Sequence, residues 1–325
     1  MSDAEVDQRR ADGSLRHLLT LDGLSRKELE RLLDKAQSYV RPLGTPPPAS
    51  DELFGVTVAN LFTEPSTRTR VSFELAAKRL GADVVNLEMQ LSSRTKGESM
   101  LDTVFTLQSL HVDVMVIRDA EAGVPQIVAA NVAPHVSVLS AGEAHLSHPT
   151  QGLLDALTVR QQKKKFAGLA IAIVGDIRHS RVARSAFHIF RTLGVPDIRV
   201  VAPPGLMPEE NEFAGCSRHE SLASGLKDVD VVMMLRIQRE RMEQADFPNA
   251  DQYFVEYGLT GEKLAFAKRD AIVMHPQPMN RGIEIASDVA DGEQSVIRDQ
   301  VRNGVAVRMA VLADVIGSRG DGSEE

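Results

Sequence analysis

VTVANLFTEPSTRTRVSFELAAKRLG, residues 56–81, decides the fold. Its opening, VTVANLF, is a nearly continuous apolar run of the kind that forms a strand buried on both faces, and STRTRVSFELAAKRLG follows with a helical pattern. The alternation continues outward: ADVVNLEM (82–89) reads as a strand, GESMLDTVFTLQSL (97–110) as a helix and VDVMVI (112–117) as a strand. Apolar strands alternating with helices imply a parallel sheet covered by helices on both faces. Upstream, SRKELERLLDKAQSYV (25–40) predicts a helix capped by Ser25, with Leu29, Leu32, Leu33 and Ala36 on one stripe, and the loop PLGTPPPASDELFG (42–55) breaks it.

A second series follows the helical stretch HPTQGLLDALTVRQQKKK (148–165). LAIAIVGD (169–176), RVARSAFHIFRTLG (181–194), IRVVAP (198–203), VDVVMML (229–235) and AIVMHP (271–276) repeat the strand and helix alternation. The expectation is an α/β chain of two doubly wound parallel-sheet domains joined by helices. One spans 1–150 and is completed by the C-terminal helix, 304–325, folding back on it; the other spans 151–303. The stripe of that last helix is read through Val301, Val305, Met309 and Leu312. No internal repeat of fixed period is present, and the polar ends, MSDAEVDQRRADGS and SRGDGSEE, read as frayed.

Composition narrows the function classes. A chain of 325 residues, 43% hydrophobic and 25% charged, is that of a folded protein large enough for two cores. With 37 basic and 45 acidic residues the net charge is −8, which argues against a broad footprint for nucleic acid or an anionic membrane. One cysteine, Cys216, excludes an internal disulfide framework, and no CxxC or HExxH spacing offers a zinc site. No apolar run reaches the length of a membrane span, and a signal-peptide core is missing, so the expected setting is the cytoplasm.

In open parallel sheets, ligands sit beyond the carboxyl ends of the strands. The polar residues fall there: Ser66, Thr67, Arg68 and Thr69 after LFTEP, Arg118 after VMVI, His148 after VSVLSAGEAHLS, Arg236 after VVMML, and His275 and Pro276 after IVM. An acidic protein that gathers such groups is suited to an anionic substrate. The segment STRTR (66–70) is the sharpest feature, because hydroxyls, backbone N–H groups and a helix N-terminus would converge on one phosphate with Arg68 as a charged clamp. Taken singly, each residue has a plainer reading. Ser66 is also a helix cap followed by solvated arginines, His148 a local hydrogen-bonding group before Pro149, Arg118 a snorkelling strand-end arginine, and Lys96 part of a solvated loop. Arg239 and Arg241 read as wet surface, and Met233 and Met234 as core.

The order of motifs separates these readings. FTEPSTRTRVSFE (62–74), KGES (96–99), HPTQ (148–151), GD..HSR (175–181), LRIQRER (235–241) and HPQP (275–278) together resemble the aspartate/ornithine carbamoyltransferase superfamily, and within it the aspartate enzymes, over residues 15–317. The resemblance implies transfer of the carbamoyl group of carbamoyl phosphate to the amine of L-aspartate, the committed step of pyrimidine biosynthesis, with no cofactor and no metal. It makes 1–150 the carbamoyl phosphate-binding domain and 151–303 the aspartate-binding domain. By the same resemblance Ser66, Thr67, Arg68 and Thr69 bind the phosphate. Arg118, His148 and Thr69 hold the carbamoyl oxygen, and Gln151 with the backbone of Gln277 and Pro278 engages the carbamoyl amide. Arg181, Arg236 and Gln238 grip aspartate. Ser92 and Lys96 match a loop that reaches a neighbouring subunit's site, which implies a homotrimer with shared sites, Lys96 also serving catalysis and aspartate binding. A higher assembly with a regulatory chain or a dihydroorotase-like protein is compatible with this.

The sequence departs from the pattern after HPQP, where MNRGIEI (279–285) replaces a shorter HPLPR version, with Arg281 standing in for that arginine. Polar residues before the recognisable start are compatible with disorder or with a partner contact. Three rival readings share parts of this pattern. An ornithine carbamoyltransferase shares STRTR but typically carries HCxP and HPCQ, where this chain has HPQP and HPTQ, and Lys96 and Arg236 suit a dicarboxylate rather than a cationic amino acid. A nicotinamide dehydrogenase is disfavoured because Gly175 is followed by Asp176, Ile177, Arg178, His179 and Ser180, so GxGxxG fails. A non-catalytic scaffold would have lost site residues, and none is lost.

Overall fold

The structure is a computed structural model and describes residues 6–45, 50–88, 99–209, 211–238 and 249–317. The chain divides into two compact units, 1–150 with 303–325, and 151–302.

The first unit is built on a four-stranded parallel sheet of β1 (Thr57–Phe62), β2 (Asp83–Glu88), β3 (Val114–Asp119) and β4 (Ser137–Glu143), in the order β2-β1-β3-β4. Every residue of β3 and β4 is buried. This matches the uninterrupted apolar runs, since crossover helices cover both faces of a parallel sheet. Ala59, Leu61, Met115, Ile117 and Val138 pack with Val104 and Leu107 of α3 (Met100–Ser109) and with Val128 of α4 (Val124–Asn131). The chain runs from β1 outward to β2 and then returns to the other side as β3, so the switch in winding lies between β1 and β3. α2 (Thr67–Arg79) connects β1 to β2, and its N-terminus stands at that switch.

Helix α1 (Arg26–Tyr39) forms where expected. Ser25 and Glu28 make a reciprocal capping box, and Leu29, Leu32, Leu33 and Ala36 are its buried residues. The N-terminal segment is ordered against this unit. Leu18 bridges Leu139 in parallel fashion, donating to Val138 O at 3.0 Å and accepting from Ser140 N–H at 2.8 Å, which covers the outer edge of β4. Gln8 Oε1 accepts from the N–H groups of Leu19 and Thr20, and Arg10 donates to Val315 O at 2.9 Å. His17, completely buried, accepts the Val138 N–H on Nδ1 at 2.9 Å. Burial holds its imidazole neutral, with a pKa lowered to about 3.

The C-terminal helix α11 (Ile297–Gly317) returns to this unit, where Arg31 of α1 pairs with Asp314. Its sequence-derived stripe needs correction. Val301 is 49% exposed and Val305 only half-buried, whereas every residue from Ala306 to Val315 is buried. A helix enclosed on all sides has no single apolar stripe to read. The expected tail beyond Gly317 and the first five residues lie outside the described residues.

The second unit carries a five-stranded parallel sheet in the order β7-β6-β5-β8-β9, formed by β5 (Ala170–Val174), β6 (Asp197–Val201), β7 (Ser217–His219), β8 (Val231–Met234) and β9 (Ile272–Met274). α5 (Pro149–Lys163) leads into it, α6 (Arg181–Thr192) joins β5 to β6, α7 (Leu222–Gly225) follows β7, α8 (Ala250–Tyr257) and α9 (Gly261–Leu264) lie between β8 and β9, and α10 (Ser287–Ala290) precedes α11. Ala172, Val174, Val201, Val232, Met234 and Val273 pack with Leu226, Leu259 and Ile297 as its core. The winding switch falls between β5 and β8. Gly175 marks it: with φ +126°, an added Cβ would meet Leu235 O at 3.1 Å and Leu235 Cβ at 3.2 Å, so only glycine lets the two strand ends approach. Short β7 and the helical turns after β6 were not read from the sequence, because three-residue strands and four-residue helices are too short to show a period.

Candidate active site

In the first unit the residues at the β1/β3 switch come together. Phe62 and Arg118 are register partners, and both the N–H and the hydroxyl of Thr63 donate to Arg118 O, at 3.0 and 3.2 Å. The β3–β4 register slips between Ile117 and Asp119, and an irregularity of this kind re-aims the side chain within it. Arg118 is 8% exposed, donating to Ala141 O at 3.1 Å and to Glu64 Oε1 at 3.0 Å. It is a buried, oriented cation rather than a snorkelling one.

Ser66 occupies the N-cap of α2 yet makes no side-chain cap bond, so its hydroxyl is not spent on the helix. The first-turn N–H groups of a helix have no intrahelical acceptor and, with the helix dipole, favour an anion. Thr67 and Arg68 are exposed on that turn and Thr69 is buried. One turn further, Phe73 lies 5.0 Å from the guanidinium of Arg308, a buried α11 residue that donates to Gly304 O. Burial, and secondarily the charge of Arg118, lowers the Arg308 pKa to about 9. Arg308 therefore adds positive potential behind the α2 N-terminus. Sequence reading missed it, since an arginine within a helical run looks like solvated surface. His148, 5% exposed, is the residue before α5.

In the second unit the β5/β8 switch holds a matching set. Arg181, the first residue of α6, is 6% exposed, and Ser180 caps that helix by accepting the Ala183 N–H. Leu235 and Ile237 are each 1% exposed while Arg236 and Gln238, which alternate with them, are half-buried, the period of an extended segment that turns alternate residues to opposite sides. Two buried carboxylates bracket this segment. Asp176 accepts from Gln238 N–H at 3.2 Å, and Glu284 accepts from Ile237 N–H at 3.1 Å. Glu284 also accepts the Asn280 N–H and side-chain amide at 2.6 and 2.7 Å, and burial raises its pKa. Neither acid was singled out from sequence; the signal available was Asp176 beside Gly175 at a strand end.

Gln151 is 8% exposed near the start of α5 and donates to Asp155. Gln277 has a left-handed φ of 58°, a conformation that costs a non-glycine residue about 1 kcal/mol or more and clusters at functional sites, and Pro278 follows it. Arg281, expected to stand in for the arginine of HPLPR, is exposed and donates to Asp291 at 2.7 Å. Met233 and Met234 are core, as expected. Ser92 and Lys96 lie outside the described residues, as do Arg239 and Arg241.

Two parallel sheets, each ending at its winding switch in a group of polar and cationic side chains, define an α/β protein with an anion-suited group on each unit. The carbamoyl-P binding domain of the aspartate/ornithine carbamoyltransferases matches residues 16–161, and their Asp/Orn binding domain matches residues 167–315. The chain belongs to the aspartate/ornithine carbamoyltransferase family, a family of transferases. Among solved structures it is similar to aspartate transcarbamoylase from Trypanosoma cruzi in complex with carbamoyl aspartate and phosphate. There the TM-score is 0.83 at 29% identity, covering 96% of this chain and 99% of that one. The same enzyme with aspartate and phosphate matches at TM-score 0.80 and 30% identity, covering 96% of each chain. Ornithine carbamoyltransferase from Pyrococcus furiosus matches at TM-score 0.80 and 29% identity, covering 93% of this chain and 97% of that one. No helix among the described residues is long and apolar enough to cross a membrane.

Proposed function

We propose that this chain transfers the carbamoyl group of carbamoyl phosphate to L-aspartate, giving N-carbamoyl-L-aspartate and phosphate. The observation that carries the choice of aspartate is the pair Arg181 and Arg236 at the winding switch of the unit matching the Asp/Orn binding domain. Two guanidinium groups suit the two carboxylates of aspartate and repel the ammonium of an ornithine side chain. Gln238 adds an uncharged hydrogen-bonding group beside them.

In this reading Ser66, Thr67, Arg68 and Thr69 take the phosphate at the α2 N-terminus, and Arg118, His148 and Thr69 hold the carbamoyl oxygen. The amine of aspartate attacks the carbamoyl carbon, the new C–N bond forms, and negative charge develops on that oxygen. Preorganised donors stabilise it better than water does, because they need not reorient. The C–O bond to phosphate then breaks, and the departing phosphate takes the proton from the amine nitrogen. Carbamoyl phosphate is already activated, so no covalent nucleophile is required and the protein's work is orientation and charge stabilisation. Gln151 and the backbone of Gln277 and Pro278 engage the carbamoyl amide.

We further infer a cytoplasmic homotrimer in which Ser92 and Lys96 complete a neighbour's site. Val71 and Leu75, one turn apart on α2, are 42% and 40% exposed, and Val85 on the edge strand β2 is 40% exposed; such apolar surface on one unit supports packing against another chain. Colorimetric detection of carbamoyl-aspartate from the purified chain, with ornithine in parallel, tests the reaction. Turnover of ornithine in preference to aspartate would refute it, and native mass measurement tests the trimer.

A further inference from the structure

Asp155 is the one acidic residue of α5 and takes no part in the reaction as derived above. Its side chain is fully enclosed, 0% exposed, one helical turn after Gln151 and on the same face. Oδ1 accepts two side-chain amides, Gln151 Nε2 at 3.0 Å and Gln300 Nε2 at 2.8 Å. Gln300 in turn accepts the His275 N–H on Oε1 at 2.9 Å, and His275 Nδ1 accepts the Gln277 N–H at 2.9 Å. One carboxyl oxygen thus reaches both groups assigned to the carbamoyl amide: the Gln151 side chain directly, and the 275–278 segment through Gln300.

The polarity of these bonds matters. A glutamine amide has a donor end and an acceptor end of nearly equal size, and nothing in its shape chooses between them. An oxygen of Asp155 that can only accept binds the NH2 of Gln151, so Oε1 is the end left for a ligand. The same acceptor fixes Gln300 and leaves its Oε1 for the His275 N–H. Asp155 Oδ2 is buried with no hydrogen-bond partner, a place where a carboxylic proton resides without disturbing Oδ1. Burial raises this carboxyl to about 7 against the opposing pull of Gln300 and Gln151. A buried polar group of this kind is retained at a cost in desolvation and needs a reason.

Resting on the carbamoyl transfer proposed above, we propose that Asp155 is a positioning residue that makes the site selective for the amine of carbamoyl phosphate, by turning the Gln151 acceptor outward and tethering residues 275–278. Carbamoyl phosphate presents an NH2 donor there. Acetyl phosphate, with a methyl group in that place, does not use an acceptor and should be indifferent to which end of Gln151 faces it.

Asp155→Leu removes both hydrogen-bond acceptors while keeping the branching at Cγ, and is expected to raise KM for carbamoyl phosphate ~10-fold or more while changing the inhibition constant of acetyl phosphate less than about 2-fold. Asp155→Asn keeps an oxygen at the Oδ1 position and should restore most of the carbamoyl phosphate affinity. Gln300→Leu leaves the α5 pair intact and acts through the 275–278 arm alone, so it tests the idea even if Asp155→Leu fails to fold; the same preferential loss of carbamoyl phosphate is expected. An equal loss for both phosphates, or no loss for either, in whichever of Asp155→Leu and Gln300→Leu folds would overturn the proposal. Wild-type protein that forms no carbamoyl-aspartate would instead sink the underlying reaction, so the two failures are distinguishable.

Discussion

Acid lability should be concentrated at His17. The imidazole is completely buried, its Nδ1 must stay unprotonated to accept the Val138 N–H, and burial, reinforced by Arg16 and Arg10 against Asp7, holds its pKa at about 3 instead of 6.5. The folded value is depressed, so the contribution is fully present above the unfolded value of 6.5 and is lost as pH falls toward 3. At pH 5 the unfolded imidazole is protonated over neutral by roughly thirty to one while the folded one remains neutral. This difference destabilises the fold by about RT ln 30, or ~2 kcal/mol, and by ~3 kcal/mol at pH 4. His17→Asn places Oδ1 where Nδ1 accepts and has nothing to protonate. The variant should lose packing at neutral pH, about 1 kcal/mol, yet shed less stability on acidification. Urea unfolding followed by far-ultraviolet circular dichroism, at pH 7.5 and pH 5 and at one protein concentration, measures the difference. Other titrating groups are common to both proteins and cancel. Equal losses of stability between the two pH values for wild type and His17→Asn would show that His17 is not the group responsible.

Arg68→Ala is expected to lower kcat/KM by about 100-fold or more through loss of a charge-assisted phosphate clamp, with the melting temperature unchanged because the side chain is exposed; a drop below 10-fold would remove Arg68 from the site. Arg236→Ala should raise KM for aspartate by at least ~10-fold while altering KM for carbamoyl phosphate little, read by steady-state kinetics with each substrate varied, and an equal effect on both would contradict its role. Lys96→Gln is expected to inactivate without unfolding. Mixing it with Arg68→Ala chains should regain activity if sites are built between subunits, whereas an active monomer on native mass measurement would exclude shared sites.

Much of the architecture was legible in the chain because two-sided burial leaves a plain trace. Runs such as VTVANLF and LAIAIVGD, alternating with helical patterns, read as strands covered on both faces, and Ser25 with Glu28 announces a helix start through a local bond. Arg68, Arg118 and Arg236 were legible for a related reason: a cation at the end of an apolar strand, or at the start of the helix that follows it, stands where parallel sheets place their ligands. Residues whose meaning depends on distant partners were silent. Asp155 lies amid helical residues, and only the approach of Gln300, 145 positions along the chain, gives it significance. Arg308 reads as an ordinary helix arginine until Phe73 is found beneath it.

The amino acids alone settled where most of the longer strands and helices lie, that the sheets are parallel, and which strand ends carry charge, since periodicity and capping act over a few residues. Folding in three dimensions decided the rest: which arginines are buried, which carboxylates bracket the 235–238 segment, and that α11 is enclosed on every side over residues 306–315 rather than along one stripe. The physical reason is that burial and hydrogen-bond polarity belong to pairs of groups, and the chain brings those pairs together only when the sheets wind.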